Sequence, residues 1–148
     1  SRVGRRANYP LRLLRVKNTV RPRLALIGNA AHTLHPIAGQ GFNLGLRDVA
    51  VLADKLAEAQ RRGLDPGSTI VLDRYAAERA ADQRRVALIT DFLARLFSNP
   101  LAPLRLGRNL GLLALDLAPA AKRDVTRQFM GLRGRLPRLS RGLSLQER

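Results

Sequence analysis

The residues best suited to chemistry lie in one stretch, Gly28-Asn29-Ala30-Ala31-His32-Thr33-Leu34-His35-Pro36-Ile37-Ala38-Gly39-Gln40-Gly41-Phe42-Asn43-Leu44-Gly45-Leu46-Arg47-Asp48. An apolar run, Leu24 to Ile27, ends at Gly28, and a loop of small residues leads to Gly39-Gln40-Gly41 at a helix start. Small side chains let a ligand lie against the backbone. The first N–H groups of a helix have no partner within it and carry partial positive charge. Such a place favours an anion or the electron-rich edge of a ring. Ligands of α/β proteins also gather at the carboxyl ends of strands, where this loop would sit. The pattern points to a loop that binds a phosphate or a cofactor, without naming it. A tight turn needing positive φ at its glycines is the competing reading.

Other reactive groups are few. His32 and His35 are three residues apart, but no carboxylate cluster accompanies them, so structural histidines are expected rather than a metal pair. Asp48, beside Arg47, reads as a first-turn helix charge that holds the loop, not as a catalytic group. Glu78, Arg79, Asp82 and Arg85 read as a solvated face with local ion pairs. Met130 and the phenylalanines read as core. The chain has no cysteine, which excludes disulfides, cysteine metal sites and thiol nucleophiles. No residue is assigned as catalytic, and no metal site is expected.

These residues must be positioned by a small set of elements. Tyr9 to Val16 partly alternates apolar with basic residues, as a half-buried strand does. Asn18 to Pro22 reads as a turn. Leu24 to Ile27 fits a strand buried on both faces, as in a parallel sheet. A helix follows from about Asn43 to Arg62, with Leu44, Val49, Leu52, Ala53 and Leu56 at helical spacing. Gly63 stops it. Ser68 is placed to cap a second helix reaching about Ser98, with Val71, Leu72, Tyr75, Ala76, Val86, Ile89, Phe92, Leu93 and Leu96 as its apolar set. Leu101 to Leu117 is a third helical segment containing Gly107 and Gly111. Pro119 opens a fourth, to about Met130. The fold class is mostly α with a short strand pair. Residues 1–8 read as a loose basic entry, 9–131 as the structured unit with a cofactor loop at 28–43 and helices over 43–131, and 132–148 as a basic mobile tail.

The stretch from Gly28 to Asp48 closely resembles the second FAD-binding motif of the para-hydroxybenzoate hydroxylase-like flavoprotein monooxygenases. That pattern is Gly-Asp-Ala-Ala-His, a following Pro, Gly-x-Gly-x-Asn, and an Asp five residues later. The chain matches it at Gly28, Ala30, Ala31, His32, Pro36, Gly39, Gly41, Asn43 and Asp48, and departs at Asn29. Within the family it is most similar to the hydroxylases of ubiquinone biosynthesis, the 2-polyprenyl-6-methoxyphenol hydroxylases above all. Leu72-x-x-Tyr75, Arg79, Asp82, Phe97-Ser98-Asn99 and Arg108 to Leu112 extend the likeness. The resemblance covers roughly residues 9–131.

The resemblance implies the C-terminal portion of an α/β FAD-binding monooxygenase. It implies FAD contacts at Gly28, Asn29, Ala30, Pro36, Gly39, Gln40, Gly41, Phe42 and Asn43. Asn29 matches the position that bonds the ribityl chain, and an amide can still donate and accept there. Pro36 matches a proline lying against the flavin ring. Residues 39–43 match the helix start facing the pyrimidine edge, where its dipole would stabilise the anionic reduced ring. NAD(P)H would be the reductant, and a polyprenylated phenol the ring hydroxylated with molecular oxygen. The Gly-x-Gly-x-x-G fingerprint of the AMP half is absent. The chain is therefore expected to be a fragment, inactive and weak in FAD binding alone.

Charge frames the alternatives. The chain has 148 residues, 27 Lys and Arg against 11 Asp and Glu, and a net charge of +16. Residues 1–23 carry eight basic side chains and no acid; residues 122–148 carry eight against Asp124 and Glu147. A non-catalytic basic module for a membrane surface, a protein assembly or nucleic acid is the alternative. No nucleic-acid motif or aromatic-interleaved basic patch supports the last. The Leu-rich, nearly uncharged stretch Asn109 to Pro119, interrupted by Asp116, is too short to span a bilayer. The expected location is cytoplasmic, with peripheral contact at the inner membrane through the basic tail and the Leu-rich segment 101–117. A ubiquinone-biosynthesis complex and a homodimer through exposed apolar surface are further expected partners.

Overall fold

The computed structural model describes residues 4, 7, 13–34, 39–132 and 136–145. Among the described residues, four short strands precede four helices: β1 (Leu14–Arg15), β2 (Val20–Arg21), β3 (Leu24–Ala25), β4 (His32–Thr33), α1 (Gln40–Arg61), α2 (Thr69–Ser98), α3 (Ala102–Leu117) and α4 (Pro119–Phe129). The expected mostly helical chain with short strand pairing is what forms. The part of the expected first strand that is described, 13–16, contributes β1. The rest of it, including Pro10, lies outside the described residues.

β1 pairs antiparallel with β4, matching Leu14 to Thr33 and Arg15 to His32. β2 pairs antiparallel with β3, matching Val20 to Ala25 and Arg21 to Leu24. The expectation of a strand buried on both faces at 24–27 is therefore corrected. Leu24 is 51% and Ile27 37% exposed. The physical reason is a tight hairpin: Pro22 and Arg23 form the turn and fold β3 back on β2. The turn also lies later than the expected 18–22. Arg23 holds a left-handed φ of 59°. Its N–H donates to the Gly67 carbonyl at 3.0 Å, and its guanidinium pairs with Asp65 at 2.9 Å, so the α1–α2 loop holds it there.

α1 and α2 pack on each other and form the core. Leu44, Ala50, Val51 and Ala59 from α1 meet Val71, Leu72, Tyr75, Val86 and Ala87 from α2, all buried. Some expected core positions turn outward: Val49 is 45% and Phe92 61% exposed. Met130, Phe42 and Phe97 are also exposed, correcting their reading as core. Ser68 takes the N-cap position of α2 in extended geometry, yet its side chain makes no capping bond.

α1 starts three residues earlier than expected, because a long-range contact ties down its first turn. Gln40 Nε2 donates to the Phe129 carbonyl at 3.0 Å, joining the start of α1 to the end of α4. α3 has no buried residue; Leu106, Leu110, Leu113 and Leu117, on one helical face, are all exposed. Among the described residues, no helix is long and apolar enough to cross a membrane. In the region read as a basic tail, 136–145 carry a 3-10 turn, Leu139–Arg141, that docks on α1. The Arg138 N–H donates to Asp54 Oδ2 at 2.8 Å, and Arg61 donates to the Leu145 carbonyl at 2.6 Å.

Candidate functional site

The loop is built by reversing the chain twice. After β3 a 3-10 turn, Gly28–Ala30, leads into β4. Gly28 has φ 55°, a left-handed value that suits glycine. A Cβ on Gly45 would sit 3.3 Å from the Gly28 Cα, so the turn lies directly on α1 with no room for a side chain between them. Val16 N–H donates to the Ala31 carbonyl at 3.1 Å and fastens the turn to the strand pair. Asn29 and Ala30 are exposed beside it.

The second half of the loop reaches α1 through Gly39, the N-cap, at φ 64°. No side chain caps the helix start, and no acid stands in its first turn. The N–H groups of Gly41 and Phe42 precede the first intrahelical bond and have no partner further back in the helix, as at any helix start. A Cβ on Gly39 or Gly41 would meet nothing within 4 Å, and Phe42 is 74% exposed. The helix start is thus open, electropositive and free of crowding. The Gln40 side chain is buried and bonded to α4. Asn43 is half-buried, and its carbonyl accepts from Arg47 Nε at 3.3 Å. Pro36 and His35, expected in the same loop, lie outside the described residues.

Beneath the loop lies a buried ionic cluster centred on Asp48, which is fully buried. Its Oδ2 accepts from the Gly28 N–H at 3.0 Å and from His32 Nε2 at 2.7 Å. Its Oδ1 accepts from Arg79 Nε at 2.7 Å and from Gln83 Nε2 at 3.1 Å. Arg79 also donates to Asp82 Oδ2 at 2.7 Å, and Arg47 meets both Asp82 oxygens at 2.9 Å. Burial alone would push the Asp48 carboxyl up. The hydrogen bonds from His32 and Arg79, the Arg79 charge and the Gln83 bond outweigh it and hold the group below the usual aspartate value. Tyr75 donates its hydroxyl to the Leu26 carbonyl at 3.1 Å, just ahead of the loop. Burial, then the Asp48 charge, push that hydroxyl well above the ordinary tyrosine range.

The cluster revises two expectations and meets a third. Asp48 sits nine residues into α1 counting from Gln40, not in its first turn. Arg79 is 4% exposed and ion-paired inside the molecule, where a solvated face was expected. His32 is a buried partner of Asp48, as a structural histidine should be. Among the described residues, no group of His, Cys, Asp and Glu could hold a metal ion. Gln83 went unnoticed in the sequence, although a signal exists. Leu72, Tyr75, Arg79, Gln83, Val86 and Thr90 recur at three- and four-residue spacing, so Arg79 and Gln83 fall on the buried stripe of α2.

The chain is 50% identical over 146 residues to a ubiquinone hydroxylase, UbiL, of Rhodospirillum rubrum, covering 97% of this chain and 34% of that protein. It is 45% identical over 124 residues to the 3-demethoxyubiquinol 3-hydroxylase of Escherichia coli, covering 84% and 32%. To the human ubiquinone biosynthesis monooxygenase COQ6 it is 42% identical over 120 residues, covering 81% and 26%. The chain therefore spans about a quarter to a third of the length of these curated relatives. The profile of the FAD binding domain family matches residues 3–89, which contain the loop, the helix start and the Asp48 cluster. With more than half of its length inside that profile, the chain belongs to the FAD-binding domain family.

Proposed function

We propose that this chain is the C-terminal part of an FAD- and NAD(P)H-dependent monooxygenase that hydroxylates the ring of a polyprenylated phenol in ubiquinone biosynthesis. The observation that carries the reading is the open start of α1. Gly39 and Gly41 leave empty space over it, and among the described residues neither an acid in the first turn nor a capping side chain competes for the N–H groups of Gly41 and Phe42. These residues fit the flavin edge of FAD, which is electron-rich and becomes anionic on reduction. When bound, FAD supplies the electron transfer to molecular oxygen. The chain's own residues do other work. Gly41 and Phe42 present backbone N–H groups to the ring edge. Asn29 stands exposed at the turn, where an amide can bond a hydroxylated chain.

The relatives' names support the substrate class. An enzyme acting on such a lipid works at a membrane, and the exposed leucines of α3, with the basic chain around them, suit contact with the anionic inner-membrane surface. Co-sedimentation with anionic vesicles, and its loss with neutral ones, is the expected behaviour. The reading as a whole is tested on the full-length protein that carries this chain. It should purify with one FAD and consume NAD(P)H faster when a polyprenyl phenol is added, yielding a product with one more ring hydroxyl by mass spectrometry. A protein that takes up no flavin would sink it.

A further inference from the structure

Asp48 has two faces. One oxygen, Oδ2, serves the loop through Gly28 N–H and His32; the other, Oδ1, serves α2 through Arg79 and Gln83. All four side chains involved are buried, from 0% exposure at Asp48 to 4% at Arg79 and Gln83. A carboxylate is planar and rigid, so what holds one oxygen also orients the other. The 28–30 turn has no slack to absorb a change, because Gly28 is in contact with α1 at Gly45, one turn before Asp48.

We propose that Asp48, Arg79 and Gln83 are positioning residues for the flavin: α2 holds the carboxylate, and the carboxylate sets the 28–30 turn against the start of α1. Arg79 and Gln83 thereby govern FAD affinity and the flavin's surroundings through Asp48 and the Gly28 N–H. The proposal rests on the FAD reading above and adds the residues that tune it.

The test uses the full-length flavoprotein. Gln83→Leu removes one donor from Oδ1, and His32→Leu removes one from Oδ2; each should weaken FAD binding about tenfold, as expected for loss of a hydrogen bond to a charged group. Each should also shift the flavin's visible band and its midpoint potential. His32→Gln, which keeps a donor nitrogen, should restore most of the affinity. Thr90→Val is the structural control. Thr90 is equally buried on α2, but its hydroxyl donates only to the Val86 and Ala87 carbonyls of its own helix. It should lower the melting temperature with FAD affinity and spectrum unchanged. If Gln83→Leu and His32→Leu lose thermal stability in step with Thr90→Val yet bind FAD with wild-type affinity and spectrum, the positioning role is overturned while the flavin reading stands. If the wild-type protein binds no FAD, both fall together.

Discussion

A single carboxylate without water must take all its hydrogen bonds from the protein, and Asp48 takes four. Removing it leaves the Arg79 charge buried beside only Asp82. Asp48→Ala should therefore cost about 3–5 kcal/mol of stability, measured by urea unfolding. The same group makes stability depend on acid. Its folded carboxyl lies below the ordinary value of 3.8. Its contribution is thus complete above the unfolded value and is lost as pH falls through the lower folded one. At pH 3.8 the Asp48 Cγ resonance should still read as ionised; a half-protonated signal there would contradict the cluster as described.

At the scale of elements, contact decides what a glycine is for. Gly45, inside α1, faces the backbone of Gly28, which cannot swing aside as a side chain can. Gly45→Val should cost about 1–3 kcal/mol by overpacking, and should loosen the loop with it. Gly107, inside α3, faces open space. There Ala relieves the entropy cost of glycine in a helix, and Gly107→Ala should raise stability by about 0.5–1 kcal/mol. Thermal melts of the two variants should move in opposite directions. The contrast also explains why α1 begins where it does: its first turn is set by Gln40 reaching the end of α4, a contact 89 residues away in sequence.

At the scale of the whole molecule, the proposed reading gives the chain one edge of a cofactor site. Asn29, Ala30, Gly39 and Phe42 are exposed, and nothing described in the chain cradles an AMP moiety. The 148-residue chain on its own should lose FAD on gel filtration, whereas the full-length protein should keep it. Tight, stoichiometric FAD on the isolated chain would show that the edge suffices.

Local chemistry was legible in the residues themselves. Gly39 at an αL corner, proline opening α4, and the 3.6-residue periodicity of α2 are short-range effects of backbone sterics and one-sided burial. They placed the helices and the loop, and the order of Gly28, Ala30, Gly39, Gly41 and Asn43 identified the flavin family. Strand environment was not legible, because an apolar run such as Leu24 to Ile27 reads the same in a buried sheet and in an exposed hairpin. The spacing of α2 puts Arg79 and Gln83 on its buried stripe, but sequence could not show what pairs with them there, since a charged side chain is buried only where a partner waits for it. That partner, Asp48, lies 31 residues from Arg79 and 20 from Gly28. Only the packing of α1 on α2 brings them together, at distances where one carboxylate can satisfy them all.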